Sequence, residues 1–530
     1  MTRLATFFSG RPLPFYKFLN KSNFERKYDT VQSCICKNST MVGDSVPNEV
    51  ETPFGSAQPF SNIPGPKGIP YLGSWLDYKL NPEKINRRDI VIKEFQSRYG
   101  NIVKETIAGK EIVHIFHPDY IRKVYEEEGK YPTIPPLLDT VKLYRKDKDL
   151  APGLGFSNGE DWYRLRSVVQ KIMVRPQKAM DYLPVQNEVS NDFVSKLALI
   201  INDQGYVKNF NMWICRWGLE SAAKITFDTR LGFMDESGHQ AAEKIIHSNS
   251  EVFGLSTKLF FSLPFFKYVP TPSIKKIYKC EDFIIEEGKR LLDSSILAFE
   301  EMLKSGKMKE NHFQFLSYML NSKTINYGDI LAVVNSVFTD TLSTTSQALL
   351  FNLYMISINP EAQERAYEEA ERILSDSGDL TVQGFNTSRY IKACIKETFR
   401  FLPIGIDIQR LCPSNMVIGG YQVPKDTYLV LEPYVGLNDP VYVNEPDMFM
   451  PERWLRDDSN EKIHPYLIIP FSIGTRMCAG RRFAEQELVM MIAKILKKYR
   501  LEWHHKDAVH MHYQLLQVPN REVSVKFVPR

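Results

Sequence analysis

The feature that most restricts how this chain can fold is a glycine-hinged loop running straight into an apolar helix. It reads Phe471-Ser-Ile-Gly-Thr-Arg-Met-Cys-Ala-Gly480, followed by Arg481, Arg482 and the run Phe483 to Leu496. Gly474 permits a tight turn with φ > 0, and Gly480 permits close backbone approach. Cys478 is therefore predicted on a loop just before a helix N-terminus. There, unpaired N–H groups and the positive dipole end favour thiolate over thiol. A loop-held thiolate hydrogen-bonded by backbone amides suits haem iron as an axial ligand. The plainer alternative is a buried cysteine acting as a small hydrophobe.

The rest of the chain bounds that chemistry. Its 530 residues are 43% hydrophobic and 25% charged, enough for a large core. A net charge of +4 is too mild to argue for a nucleic-acid partner. Seven scattered cysteines do not form a secreted disulfide framework, and Cys34-Ile-Cys36 lacks the second pair a zinc site needs. No stretch is long and apolar enough to span a bilayer. Gly153-Leu-Gly155 invites a dinucleotide-loop reading, but Asn158 stands where the third glycine belongs and no βαβ pattern surrounds it. With no flavin or nicotinamide site, electrons have to come from a partner.

Residues 1 to about 50 differ in character from the remainder of the chain. The first forty hold seven basic residues against two acids, Glu25 and Asp29. A basic, acid-poor leader reads as a mitochondrial transit peptide, the alternative being a disordered basic tail. The spacing predicts one long helix from Tyr327 to Ile358, stopped at Asn359-Pro360. Ile102–Ile107 and Glu111–Phe116, split by Gly109-Lys110, predict a hairpin.

The pattern Phe-x-x-Gly-x-Arg-x-Cys-x-Gly over 471–480 resembles the haem-ligand loop of cytochromes P450. The Pro/Gly stretch Ile63 to Gly73 is similar to the hinge preceding that family's catalytic domain, and the resemblance extends over roughly 60 to 528. It implies a mainly α fold with small β-sheets in a single haem domain over 60–530. The cofactor implied is haem b, with Cys478 as the iron ligand and Phe471 in its loop. Trp162, Arg166, Arg410 and Arg476 match positions that bind the haem propionates. Glu397, Arg400 and Arg453 match a structural Glu–Arg–Arg cluster.

In the long helix the family's acid–alcohol step falls on Ser343-Thr344, so the acid is replaced by serine. Thr344 is then the oxygen-side alcohol, with Asp340 one turn away as a substitute acid. The alternative register uses Asp340-Thr341. A helical threonine can also simply bond back to the i−4 carbonyl.

The leader, Arg481-Arg482, and Lys392 with Lys396 resemble the mitochondrial branch of the family. There such residues dock an adrenodoxin-like [2Fe–2S] ferredoxin, and basic steering suits an acidic partner. The alternative is a solvated basic face. The resemblance implies monooxygenation of an apolar, sterol-like substrate at the matrix side of the inner membrane, with arthropod ecdysteroid-pathway hydroxylases the most similar. Xenobiotic oxidation and an electron-free isomerase or dehydratase are the alternatives. Ile404 to Ile408 and Gln517 to Asn520 are expected to line the pocket. Leu259 to Phe266 is expected either to touch the membrane or to be an ordinary buried loop.

Overall fold

The computed structural model describes residues 52–136, 138–306, 312–455 and 463–530. The expected leader at 1–50 lies outside these residues. The mainly α expectation holds, with long helices packed around small sheets.

The helices that frame the centre are α1 (Arg88–Tyr99), α2 (Asp139–Asp147), α3 (Gly159–Met173), α4 (Leu183–Ile200), α5 (Phe210–Phe227), α6 (His239–Phe260) and α7 (Pro272–Lys304). They are followed by α8 (Tyr327–Ser343), α9 (Thr345–Ser357), α10 (Pro360–Ile373), α11 (Arg389–Phe401) and α12 (Arg481–Lys498). Helix α12 carries the apolar run Leu488–Ala493 and is buried on most sides, against α4, α9, α10 and α11. Helix α5 packs on both α4 and α8.

Strands β1 (Ile102–Ile107) and β2 (Lys110–Ile115) form the predicted hairpin, turned through Ala108 and Gly109, both at positive φ. The later strands are β3 (Ile408–Leu411), β4 (Met416–Ile418), β5 (Tyr421–Val423) and β6 (Tyr428–Leu431). The main sheet runs β1-β2-β6-β3, with β2 and β6 parallel and the other neighbours antiparallel. Near the C-terminus, β7 (Tyr499–Glu502) pairs with β10 (Lys526–Pro529), and β8 (Met511–Gln514) pairs with β9 (Leu516–Pro519).

The single helix expected over 327–358 is corrected. The chain breaks at Thr344, whose φ of −124° and ψ of −81° leave the helical region between α8 and α9. Side-chain bonds accommodate the break. Thr344 Oγ1 donates to Asp340 O at 2.7 Å, and Gln347 Nε2 donates to Leu342 O at 2.8 Å. Both satisfy carbonyls near the discontinuity, as a side chain inserted into the helical ladder does. The start of α8 is firmly set by a reciprocal capping box between Asn326 and Asp329.

Candidate active site

The Cys478 loop takes the predicted form. Gly474 has φ 74°, Met477 N donates to Gly474 O at 3.2 Å, and Cys478 N donates to Phe471 O at 2.9 Å. The Phe471 ring stands edge-on to Phe399 of α11, with centroids 5.7 Å apart, which ties the loop to that helix. Helix α12 begins at Arg481, so the backbone N–H groups of Gly480 and Arg481 reach the Cys478 sulfur and favour its ionised form.

Burial nevertheless outweighs them and pushes the thiol up, with Asp340 adding to the effect and Arg166 opposing it. The N–H groups at the helix start thus favour thiolate, as expected, while burial opposes them. A bound metal cation beside this sulfur would offset the burial.

Asp340 projects from α8 within electrostatic reach of Cys478. Both side chains are accessible at their tips yet ringed by protein, so they open on an internal cleft rather than on the outer surface. Burial pushes the Asp340 carboxyl up to about 7, opposed by Arg145.

The neighbouring hydroxyls point elsewhere. Ser343 is buried and accepts a 2.8 Å hydrogen bond from Asn249 of α6. Thr341 donates to Val337 O at 3.1 Å, and its methyl faces Gly218 of α5, where a Cβ would come within 3.1 Å. Only glycine at 218 lets α5 sit this close to the break, because an added Cβ would also lie 2.4 Å from Ser346 Oγ. Asp340 and Thr344 thus share a face, while Ser343 and Thr341 are held against flanking helices.

On the loop's flank, guanidinium groups converge. Arg476 Nε donates to Pro132 O at 2.6 Å, and its Nη2 donates to Ser157 O at 2.8 Å and to Asn158 Oδ1 at 2.6 Å. Its guanidinium lies 4.2 Å from the ring centre of Trp162, which is buried in α3. Arg410, from β3, pairs with Glu128 and donates to Ser472 Oγ at 3.2 Å. Arg166, four residues after Trp162, is buried with its Nε unpartnered among the described residues.

Burial and the neighbouring positive charges of Arg410 and Arg166 press Arg476 down to about 9, with only Glu128 opposing them. Three cations around one carboxylate form a site that wants further anionic charge.

Behind the loop, Glu397 accepts from Arg400 at 2.9 and 3.1 Å, from Arg453 at 3.1 Å and from Trp454 Nε1 at 2.7 Å. The two stretches expected to line the pocket do meet, as Gln517 N donates to Ile404 O at 2.7 Å. They include a group that sequence reasoning passed over. Asp407 is enclosed beside Glu432, and burial pushes it up to about 7. Gln409, two residues on, hydrogen-bonds it, but the charges around it, Glu432, Arg88 and His114, come from distant segments.

Comparison with known proteins agrees with this geometry. The Cytochrome P450 family pattern matches residues 63–527. The chain belongs to the cytochrome P450 family. It is 37% identical over 475 residues to a probable cytochrome P450 CYP44 of Caenorhabditis elegans, covering 88% of this chain and 94% of that one. It is 30% identical to the probable mitochondrial cytochrome P450 301a1 of Drosophila melanogaster, covering 85% of this chain and 84% of that one. It is 26% identical to the mitochondrial 1,25-dihydroxyvitamin D(3) 24-hydroxylase of Rattus norvegicus, covering 90% of each. The similarity is thus not confined to arthropods.

The protein is a haem-dependent monooxygenase of the oxidoreductase class. The residues present fit a haem: a cysteine sulfur opening on an internal cleft, an unpartnered buried Arg166 Nε, and an excess of guanidinium charge where carboxylates would sit. Among the described residues, no helix is long and apolar enough to cross a membrane.

Proposed function

We propose that this P450 is a mitochondrial monooxygenase that binds haem b through Cys478, takes electrons from a [2Fe–2S] ferredoxin and hydroxylates a largely apolar, sterol-like substrate. The observation that carries the cofactor reading is the Arg166–Arg410–Arg476 cluster beside the cysteine loop, since two carboxylates on a flat macrocycle would neutralise it. Trp162 would support that edge through its stacking with Arg476. Bound haem supplies thiolate-tuned activation of dioxygen, so that one oxygen atom enters a C–H bond and the other leaves as water.

The polypeptide's own work is proton handling and positioning. Asp340 holds a proton near neutral pH at its carboxyl, and the Thr344 hydroxyl one turn on can pass it into the cleft. To do so, Thr344 Oγ1 gives up its bond to Asp340 O. Ser343, engaged with Asn249, would hold the break in place rather than relay.

The ferredoxin reading rests on charge. Lys392 lies within electrostatic reach of Lys396 and Arg482, so these cations share one face, with Glu485 pairing Arg481 and Arg482. Exposed Phe265, Tyr268 and Val269, at and beyond the end of the Leu259–Phe266 stretch, would serve a peripheral membrane contact on the matrix side of the inner membrane. In the same stretch Phe261 and Phe266 are buried, so the segment divides between core and surface. The similarity to proteins named as mitochondrial supports the compartment, and the 1–50 leader would direct import.

The test is reconstitution with ferredoxin, its reductase and NADPH on a panel of sterols and apolar xenobiotics, with products identified by mass. Electron-dependent hydroxylation of a sterol supports the proposal. Turnover of xenobiotics alone overturns the substrate class, and conversion without electrons overturns the reaction.

A further inference from the structure

The roof of the cleft carries charges that an apolar pocket does not need. Glu281, on α7, is only 7% exposed, and among the described residues no hydrogen bond or ion pair reaches its carboxylate. Arg145, at the end of α2, is equally buried. It is held by its Nη1, which donates to Pro152 O at 2.7 Å and Ala151 O at 3.3 Å, while its Nε is unpartnered among the described residues. Helix α7 packs on both α2 and α8, which brings Glu281 and Arg145 over Asp340. The guanidinium also lies against α8, since a Cβ on Gly153 would stand 2.9 Å from Arg145 Nη1 and 3.5 Å from Ala332 Cβ.

Toward solvent the same helices continue in hydrogen-bonding groups. Tyr144 OH donates to Asp282 Oδ1 at 2.9 Å, and Asp282 pairs with Lys148 at 2.8 Å at the surface. Tyr144 itself is buried. A polar series therefore runs from half-buried Asp282 through Tyr144, Glu281 and Arg145 to Asp340.

We propose that Glu281, with Arg145 as its counter-charge, is a proton station on an inlet between α2 and α7 that recharges Asp340. The inlet rests on the monooxygenase reading, because only a reaction consuming protons at the cleft needs such a route. A proton leaves Glu281 Oε, crosses bridging water to Asp340 Oδ, and leaves Glu281 as a carboxylate beside Arg145. To restore Glu281, Tyr144 turns its O–H from Asp282 toward Glu281 and gives it that proton, while its oxygen takes a solvent proton passed on from Asp282. Only O–H bonds are made and broken, no electron moves, and Arg145 stays protonated throughout.

The groups facing Glu281 are Arg145 and Tyr144 from α2, Asp340 from α8, and Cys280 and Asp282 on either side of it on α7. Burial raises both Glu281 and Asp340 to about 7, with Arg145 opposing the shift on each, so the two acids are matched for transfer.

The test uses the reconstituted holoenzyme carrying Glu281→Gln, with Arg145→Lys as the charge-keeping control. Glu281→Gln is expected to slow product formation by roughly tenfold or more, divert consumed oxygen to peroxide, and enlarge the effect of D2O on kcat. Substrate affinity, read from spectral titration, stays unchanged. Infrared difference spectra of the ferric protein should contain a carboxylic-acid band that titrates near neutral pH and vanishes in Glu281→Gln. A variant that couples normally with an ordinary isotope effect overturns the route, as does one that only weakens substrate binding or a wild type without the band. Absence of electron-dependent product from the wild type overturns the monooxygenase reading and the route together. Normal coupling in the variant overturns the route alone.

Discussion

The two sides of the cysteine loop treat buried charge in opposite ways. Behind it, Glu397 is fully enclosed and every partner is in place. Its oxygens accept from Arg400, Arg453, Trp454 and Met450 N, while Arg400 also donates to the carbonyls of Leu437, Pro446 and Met448. In front, among the described residues, Arg145 and Arg166 each keep an unpartnered buried Nε, and neither Glu281 nor Asp340 has a hydrogen-bond donor. A saturated network resists rearrangement, whereas unsatisfied groups are costly unless a ligand or proton uses them. The difference separates scaffold from chemistry without reference to any relative.

The strongest test of that division is Cys478→Ala. It should leave the Glu397 side folded while abolishing the thiolate-type absorbance of the reduced, carbon monoxide-treated protein, with turnover lost. Next in size, Glu397→Gln should cost about 3–5 kcal/mol, because it leaves Arg400 buried without its counter-charge. Its signature is a lowered denaturation midpoint and poor recovery of pigmented protein. If Glu397→Gln instead folds normally but uncouples turnover, the proposed division fails.

Glu487 sharpens the comparison, because it sits on α12 behind the loop yet is incompletely partnered. Ser221 donates to it, and the Oε1 atoms of Gln186 and Gln486 nearby have no partner among the described residues. Burial raises its carboxyl from 4.5 to about 7. Between those values the folded protein binds more protons than the unfolded chain, so stability falls as pH rises through the window. Glu487→Gln should flatten that fall by up to about 3 kcal/mol, measured as denaturation midpoint against pH.

Thr344→Ala should release several-fold more peroxide per NADPH with little change in stability, while Thr341→Ala should mainly perturb packing against Gly218. The reverse result would move the relay to the other alcohol. The smallest effect belongs to the basic face. Lys396→Glu, at an exposed position of that face, should raise the KM for ferredoxin a few-fold and weaken the salt dependence, leaving thermal stability almost unchanged.

Much of the site was legible in residue order because its parts are local. Gly474, Cys478 and the helix start lie within one short stretch, and so do Trp162 with Arg166 and Glu397 with Arg400. The break at Thr344 was not legible. A β-branched residue inside an apolar helical run looks ordinary, and Thr341 bonds back to Val337 O in the same way without interrupting α8. At Cys478 the helix terminus could be read from the chain, but the burial opposing it could not.

By itself, then, the amino-acid order determined the cysteine loop, the α-rich fold and the Glu397–Arg400 pair, since each depends on spacing within a helix or turn. Only the tertiary structure decided which hydroxyls face the cleft, that Arg145 and Glu281 stand over Asp340, and that Asp407 is enclosed beside Glu432. Those facts depend on desolvation and on charges brought together from distant segments, and neither quantity is defined until the chain has packed.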